Sequence, residues 1–333
     1  MRLTGILCAL AMLAAMPASA ATTIKIATVA PDGTAWMREL RAAAEGVKKR
    51  TDGRVEIKYC PGGVMGDDAT VLRKIKIGQL QGGAFTGGSF SLFAKDAQIY
   101  SLPFMFRSQE EIDQVRAKLD PLLKQSIAQA GWESLGISGS GFAYLMSTHA
   151  IRSRDDLRAA KVWVPLGDPV DELAFKAAGV TPIPLALADV YTSLQTGLID
   201  TAANTPSGAI AFQWHTKIKH FVDVPLTYVV GIVVVEKKIY DGIDAEDRRA
   251  LSEELTAASA RLDKLSRDDN AGAREALERQ GITVFTPGAD DRKAWEAVGT
   301  EAYRQVVANN LLTPPLRKAL EAALAEVRGK AAR

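Results

Sequence analysis

Apolar and polar positions alternate along the first quarter of the chain in two different periods. Residues 24–29, Ile-Lys-Ile-Ala-Thr-Val, alternate with the period of a strand. The next apolar positions, from Trp36 to Val47, recur every three or four residues and predict a helix that ends at Asp52-Gly53. Strand, helix and strand patterns then follow over residues 55–59, 67–78 and 84–86. Strands that alternate with helices in this order predict a parallel α/β sheet.

A second α/β region begins near Gly131 and ends in a helical tail. Its most β-rich run, residues 227–235, predicts a buried central strand. Beyond it, apolar residues from Leu251 to Leu265 recur at steps of three and four, which predicts one long amphipathic helix. Further strands are expected at 135–137, 142–146, 162–164, 182–185 and 282–285, with helices at 171–179 and 188–197 and two more between Trp295 and Leu324. The border between two α/β domains is expected near residues 140–145, with a return crossing near 224–230.

The first twenty residues have the layout of a secretory signal peptide. Arg2 precedes an apolar stretch from Gly5 to Met16, and small residues lead up to Ala20, after which we expect cleavage. The stretch is shorter than the roughly 20 apolar residues that a membrane-spanning helix needs, and no later segment qualifies. We therefore predict a periplasmic protein whose mature chain starts at Ala21.

Composition excludes several classes of protein. Apolar residues make up 47% of the 333 positions and charged residues 24%, which is typical of a folded globular chain and not of a disordered one. The 41 basic and 39 acidic residues nearly balance, so no basic excess points to nucleic acid. Cys60 is the only cysteine of the mature chain and cannot form an internal disulfide.

A search for catalytic and metal-binding motifs finds none. The three histidines, His149, His215 and His220, include no pair at the spacing of a helical zinc site. The chain has no phosphate-binding loop and no nucleophile elbow, and Gly139-Ser140-Gly141 precedes a strand where a dinucleotide motif needs a helix. The sequence therefore predicts a binding protein that is not an enzyme and uses no cofactor or metal.

Four segments resemble motifs of the DctP-type solute receptors of TRAP transporters. Residues 151–165, which end in Lys-Val-Trp-Val-Pro, resemble the family's Asp-Leu-Lys-Gly-Leu-Lys-Ile-Arg-Val-Pro stretch, and residues 182–200 resemble its Pro-x-Pro block with Glu-Val-Tyr and Leu-Gln-x-Gly. Residues 65–68 and 101–104 are similar to two shorter motifs. The resemblance implies a two-lobed periplasmic binding protein fold, with crossing strands and a long helix spanning both lobes.

The resemblance also implies which positions face the cleft, and here the chain departs from the family. The family's arginine usually clamps a ligand carboxylate, because a guanidinium pairs with a carboxylate through two hydrogen bonds. Trp163 stands at that position, and Ala143 stands at a second basic position. By the same comparison, the candidate ligand contacts are Asp67, Phe85, Thr86, Ala143, Trp163, Leu166, Leu187, Asn204, Tyr228 and Val229. Asp67 is also expected to cap a helix.

Loss of the clamp changes the expected ligand. A carboxylate that is desolvated without a cationic partner costs several kcal/mol, whereas buried apolar surface gains about 25 cal/mol per Å². We therefore expect a hydrophobic or neutral ligand, lipid-like, sterol-like or aromatic. One alternative is a conventional organic acid held by other donors, such as Thr86, Asn204, Arg152 or a metal. The other is a periplasmic lipid-type carrier that serves a different membrane partner.

The family plan also predicts the division of the chain and its partners. We expect a first lobe over residues 21–143 with about 229–270 added, and a second lobe over 144–228 with the C-terminal helices to about 330. The expected partners are a small-molecule ligand and integral membrane permease subunits, with no nucleic acid, and the protein is expected to be a monomer.

Overall fold

The computed structural model describes residues 21–331, so the predicted signal peptide and its cleavage site lie outside the described residues. The first lobe begins with three parallel strands, β1 (Thr22–Thr28), β2 (Val55–Cys60) and β3 (Gly82–Thr86), with β1 between the other two. Helices α1 (Ala35–Arg50) and α2 (Asp68–Lys76) connect them. Thr34 caps α1 by accepting the Met37 amide at 3.3 Å, and the last turn of α1 is basic, which suits the negative end of the helix dipole.

A long helical segment that the apolar pattern did not reveal completes the first lobe. Two 3-10 helices, Gly87–Leu92 and Lys95–Ser101, lead into helix α3 (Gln109–Gln129). Its buried side chains include Ile112, Val115 and Leu119, which belong to the same apolar cluster as the end of β3. This helix covers one face of the sheet.

Two long strands cross between the lobes. Strand β4 (Trp132–Ser147) and strand β9 (Thr227–Glu236) pair in antiparallel register from Trp132 to Ala143. The register shifts between Gly139 and Gly141, where Gly141 has a φ of +107° that a side chain would strain. The sequence predicted two strands here, and the structure contains one bent strand instead.

The second lobe is built from short strands and short helices around the far end of β4. Its elements in chain order are α4 (Arg154–Ala159), β5 (Trp163–Pro165), α5 (Pro169–Ala177), β6 (Ile183–Leu185), α6 (Val190–Thr196), β7 (Thr201–Asn204), α7 (Pro206–Ala211), β8 (His220–Val222) and β10 (Thr283–Phe285). Strands β5 and β6 form a separate parallel pair.

The remaining helices are α8 (Lys237–Asp241), α9 (Ala245–Arg279), α10 (Ala289–Ala308) and α11 (Pro314–Ala331). Helix α9 has 35 residues and packs on α1 in the first lobe, on β4 and on α7 in the second lobe, which agrees with the long helix expected behind both lobes. Helix α11 departs from the predicted division. It packs on α3 of the first lobe, because Leu312, Leu316 and Leu320 share an apolar cluster with that helix.

The main sheet is mixed and not parallel as predicted. Within residues 21–331 its strands run in the order β10-β8-β4-β9-β3-β1-β2, and β7 also pairs with β4. Strand β9 is antiparallel to both β3 and β4, because it returns to the first lobe from the second. None of the helices described is both long and apolar enough to cross a membrane.

A buried arginine ties three elements together where the strands cross. Arg116 of α3 donates to Asp263 of α9 at 2.7 Å, to Asp120 at 3.2 Å and to the Ile137 carbonyl of β4 at 3.2 Å. Its two carboxylate partners hold the pKa of the guanidinium above its ordinary value, although burial opposes this rise. This network fixes the bend of β4 against the long helix.

Candidate ligand-binding cleft

A cavity of about 750 Å³ lies between the two lobes, a size typical of small-molecule sites. The first lobe contributes the start of α1, the start of α2 and the end of β3. The second lobe contributes β5, the segment before α6 and the end of β7. The crossing strands form the floor, and one side of α9 closes the back. Ligand bound here would therefore touch both lobes at once.

Eight of the ten predicted contact residues line this cavity: Asp67, Thr86, Ala143, Trp163, Leu166, Leu187, Asn204 and Val229. Each comes from a different element or loop, so the resemblance brings together residues that are up to 162 positions apart, from Asp67 to Val229. Their contact with a ligand stays a prediction.

Phe85 and Tyr228 do not line the cavity. Side chains in a strand point alternately to opposite faces, so Thr86 and Val229 place their neighbours Phe85 and Tyr228 on the far side of the sheet. Phe85 is 1% exposed, and its ring packs 5.2 Å from that of Phe93. Tyr228 is 2% exposed, and its hydroxyl accepts a hydrogen bond from Gln109 at 3.2 Å. Both belong to the core of the first lobe.

Trp163 forms part of the wall and part of the core. Its Nε1 donates to the Leu185 carbonyl of the paired strand at 3.0 Å. Its ring meets Trp214 edge to face at 5.5 Å between centroids, and only 5% of the residue is exposed. These contacts fix the indole so that one part of it faces the cavity.

Two polar residues that line the cleft, Asn204 and Asp67, accept hydrogen bonds from backbone amides of their own segments. Asn204 at the end of β7 lines the cavity and accepts the Thr205 amide on its Oδ1 at 2.8 Å. Asp67 accepts the Thr70 amide at 2.7 Å and caps α2, as expected. The hydrogen bonds from Thr70 lower the pKa of Asp67.

Aspartates of the cleft walls were largely missed by the sequence analysis, which selected only Asp67. The residues that line the cavity also include Asp68, Asp168, Asp171, Asp189 and Asp269. No lysine, arginine or histidine of the described residues is among them. The dipeptide Asp168-Pro169 is a typical helix start, so capping rules could have located α5 two residues earlier than the predicted start at Asp171.

Burial changes the titration of three of these carboxyls. It is the main cause that raises the pKa of Asp168 to about 6, and it raises the pKa of Asp171 well above its usual range. Asp68 lies in the first lobe, where burial raises its pKa and a hydrogen bond from the Ser89 hydroxyl opposes the rise. Charge on this part of the cleft is therefore unusually costly.

Metal ligands do not converge anywhere in the part of the chain described. Among residues 21–331, no group of three or more His, Cys, Asp and Glu residues is arranged to hold a metal ion. Cys60 is half-buried against the first-lobe core. The cleft therefore offers carboxylates, neutral polar groups and aromatic rings to an organic ligand.

Known proteins share this sequence pattern and architecture. The chain is 26% identical over 286 residues to the C4-dicarboxylate-binding periplasmic protein DctP of Rhodobacter capsulatus, covering 84% of each chain. It is 25% identical over 259 residues to the 2,3-diketo-L-gulonate-binding periplasmic protein YiaO of Escherichia coli K12, covering 77% of this chain and 78% of that one.

Two solved structures show the same fold. A TRAP periplasmic solute-binding protein from Xanthobacter autotrophicus Py2, with bound β-D-galacturonate, has a TM-score of 0.83 at 21% identity and matches 91% of this chain and 99% of its own. Another from Desulfovibrio salexigens, with bound orotic acid, has a TM-score of 0.85 at 18% identity and matches 92% and 99%. The family model described as DctP, bacterial extracellular solute-binding protein, family 7, matches residues 26–310. The chain belongs to this family of TRAP-type solute-binding proteins.

Proposed function

We propose that the protein is a periplasmic receptor that captures a small organic solute between its lobes and delivers it to the integral membrane subunits of a TRAP transporter. The observation that carries this proposal is the 750 Å³ cavity whose walls come from both lobes and whose floor is the pair of crossing strands. A ligand that touches both lobes stabilises their closed arrangement, and a permease can then distinguish loaded from empty receptor. Catalysis is not part of the proposal.

The hydrophobic ligand expected from the sequence is not retained. The relatives and neighbours whose names state a ligand bind acids, namely a C4-dicarboxylate, 2,3-diketo-L-gulonate, β-D-galacturonate and orotic acid. Six aspartates in the cleft walls also add polar groups to a cavity whose lining is otherwise largely apolar. We infer a water-soluble organic solute, and neutral donors such as the Asn204 amide and the Thr86 hydroxyl hold any carboxylate that it carries.

The alternative lipid-type carrier is less well supported. It needs an apolar cavity, and the carboxyls along these walls oppose that. The names of the relatives place them in the periplasm, which agrees with the export signal expected in residues 1–20. A monomeric state remains a prediction.

The first experiment is mass spectrometry of small molecules released from protein that has been purified from periplasm without denaturation. A stoichiometric water-soluble compound supports the proposal. A stoichiometric lipid would support the carrier instead, and conversion of the compound to a product during incubation would contradict a pure binding function.

Tryptophan fluorescence tests where the ligand binds. Trp36 and Trp163 line the cavity, whereas Trp295 packs on Phe104 with ring centroids 6.0 Å apart, away from it. We expect the extracted compound to change the emission of the unaltered protein and of Trp295→Phe. The change should shrink strongly in Trp163→Phe. A second variant combines Trp163→Phe with Trp36→Phe. If the emission of both variants still changes as much as that of the unaltered protein, the binding site lies elsewhere.

A further inference from the structure

The polar side chains of the cleft are mostly hydroxyls and carboxyls. Ten serines and threonines line the cavity together with six aspartates, and no lysine, arginine or histidine within residues 21–331 accompanies them. A ligand carboxylate would find no cationic partner among these side chains, and ionised aspartates would repel it as water leaves. Hydroxyl groups on a ligand can instead donate to the carboxyls and accept from the serines and threonines. The polar lining therefore suits an uncharged ligand that carries several hydroxyls.

One of the lining hydroxyls is buried and has no partner. Ser101 ends the second 3-10 helix of the first lobe and is only 6% exposed. Its Oγ makes no hydrogen bond with any described residue, yet it is not among the unpaired atoms that lack accessible surface. Because Ser101 lines the cavity, this oxygen is open to a ligand there. A hydrogen bond from the ligand would satisfy a polar group that the fold leaves unpaired.

An unpaired carboxyl lies at the same junction of the two lobes. Gln98 donates to Asp168 at 3.0 Å and so joins this 3-10 helix to the start of α5. Ser101 follows Gln98 by one turn of the 3-10 helix. Asp171 follows Asp168 by one turn of α5 and also lines the cavity. No described residue donates to the Asp171 carboxyl, and its oxygens, unlike Oδ2 of Asp168, keep accessible surface.

Two threonines supply further hydroxyls from neighbouring strands. Thr28 of β1 is 5% exposed, and its hydroxyl accepts the Ala30 amide at 3.2 Å but donates to no described residue. Thr86 ends β3, and its side chain does not cap the 3-10 helix that follows. Strands β1 and β3 are parallel and paired, so both threonines lie at the same end of the sheet and line the cavity. The first lobe therefore offers several hydroxyl protons to one ligand.

Aromatic side chains supply the apolar part of the lining. Trp163 and Phe175 lie in the second lobe, Phe212 lies beyond α7, and Trp36 lies at the start of α1. A carbon ring or chain that carries hydroxyls still has apolar C–H surface, which packs favourably on such rings. A plain hydrocarbon would use the rings and leave the Asp171 carboxyl desolvated without a partner. A ligand with both hydroxyls and C–H surface uses both parts of the wall.

We propose that the solute is an uncharged polyhydroxy compound, of the class of monosaccharides and sugar alcohols, whose hydroxyls pair with Asp171 and Ser101 while its carbon atoms pack on Trp163. The inference rests on the proposed receptor function and names the chemical class of its ligand. It distinguishes this chain from the neighbour with bound β-D-galacturonate, a sugar that carries a carboxylate. The acidic wall of this cleft disfavours that group.

Matched compounds that differ in one charged group test the class. Galactose, glucose and mannose are each compared with their hexuronate and with their 2-amino derivative, and the three corresponding sugar alcohols are compared with the aldonates. Ligand is first removed by unfolding and refolding, and affinity is measured by calorimetry at pH 7.5. We expect at least one uncharged compound to bind at least about tenfold more tightly than each of its charged counterparts.

Variants test the assigned contacts. Asp171→Asn removes the charge with little change in size and should weaken the preferred compound at least about tenfold. It should also reduce the preference for that compound over its carboxylate counterpart, which a purely structural role would not do. Ser101→Ala should weaken binding at least about threefold.

Two variants serve as matched controls. Ser134 is also buried, at 8% exposure, and its hydroxyl is also unpaired, but it does not line the cavity. Asp156 lies in the first turn of a helix outside the cavity. Ser134→Ala and Asp156→Asn should therefore leave the affinity unchanged.

The outcomes separate the two proposals. Tighter binding of a hexuronate, aldonate or amino sugar than of its uncharged counterpart overturns the inference and leaves the receptor function intact, as does release of a charged compound or a hydrocarbon from purified protein. Unchanged affinity in both Asp171→Asn and Ser101→Ala overturns the assigned contacts. Release of an uncharged polyhydroxy compound outside the set supports the inference, and the variants are then tested with it. If no compound binds and purified protein releases no small molecule, the receptor function fails together with the inference.

Discussion

The buried carboxylate of Asp168 should lower the free energy of unfolding of the ligand-free protein, because its Oδ2 has no hydrogen-bond partner among the described residues. The change Asp168→Asn removes the charge, and the side chain can still accept the Val170 and Asp171 amides, since Asn and Asp cap helices about equally well. We compare the free energy of unfolding of the variant with that of the unaltered protein at two pH values. We expect this difference to be more favourable to the variant at pH 8 than at pH 4.

The magnitude follows from the titration of this group. Burial is the main cause that raises the pKa of Asp168 from 3.8 to about 6, with Glu172 adding to the rise and the Val170, Asp171 and Gln98 donors opposing it. A folded-state pKa above the unfolded value means that the folded protein prefers the protonated carboxyl. The contribution of this group to stability is therefore most favourable below pH 3.8 and falls as the pH rises from 3.8 to about 6, by about 3 kcal/mol for such a rise in pKa.

Asp171 changes the expected size of the effect, because burial raises its pKa and the neighbouring Asp168 charge raises it further. Asp168→Asn removes one of the two ionisations and leaves the burial of Asp171 in place. The gain of the variant at pH 8 over pH 4 should therefore be about 1–3 kcal/mol. Any cost of the substitution that does not depend on pH cancels in this comparison.

Urea unfolding of ligand-free protein at pH 4 and pH 8 measures the difference. Asp156→Asn serves as a control, because hydrogen bonds from Arg152 and Ser153 lower the pKa of Asp156 below 3.8, so this carboxyl titrates outside the range from pH 4 to pH 8. That variant should change the free energy of unfolding by nearly the same amount at both pH values. If Asp168→Asn changes the free energy of unfolding equally at both pH values, the carboxylate is not desolvated and the argument is wrong.

Three further substitutions have defined outcomes. The Asp223 carboxylate accepts two hydrogen bonds from Arg274, at 2.7 and 2.8 Å, which lower its pKa. Arg274→Gln should therefore lower the melting temperature at pH 7. The loss should fade as the pH falls below 3.8 and Asp223 becomes protonated. Gly88→Ala should lower the free energy of unfolding by about 1–3 kcal/mol, since its β-carbon would clash with Asp168. Gly272→Ala, in the open middle of α9, should instead raise it by about 0.5–1 kcal/mol, and a urea titration compares the two. Equal effects of the two alanines would contradict the close approach of the lobes at Gly88.

Local periodicity was enough to predict the first lobe's strands and the long helix. The strands predicted at 55–59 and 227–235 match β2 and β9 closely, because each has a clear apolar pattern. Helix α3 was not predicted, although Ser108 caps it. Its sequence contains Pro121 and many polar residues, and only its packing on the sheet and on α11 explains its burial.

The direction of β9 depended on long-range contacts. Nothing in residues 227–235 distinguishes a parallel from an antiparallel strand, and the antiparallel register exists because the chain returns from the second lobe. The same limit explains the two misplaced site residues. A motif identifies a strand near the cleft, but the choice between Phe85 and Thr86 depends on which face of that strand the crossing strands leave open.

The cleft's electrostatics depended on tertiary structure even more strongly. The sequence contains nearly equal numbers of acidic and basic residues, so composition could not show that only acids gather at one cavity. The comparison with the family found a missing arginine at Trp163 and suggested an apolar site. It could not show that aspartates of α2, of α5 and of α9 line the same cavity as that tryptophan. The absence of an arginine at position 163 and the presence of several aspartates in the cavity wall have different consequences for the ligand.

Asp168 also bears on the position of the two lobes. Gln98 of the first lobe donates to Asp168 of the second, and the Ser91 hydroxyl donates to the Gly167 carbonyl at 2.7 Å. In this closed arrangement Oδ2 is buried without a partner, whereas separation of the lobes would let water reach it. The empty receptor therefore gains free energy at this oxygen by opening. The hydrogen bonds from Gln98 and Ser91 oppose this gain, so the buried oxygen reduces the net free energy by which these contacts hold the empty receptor closed.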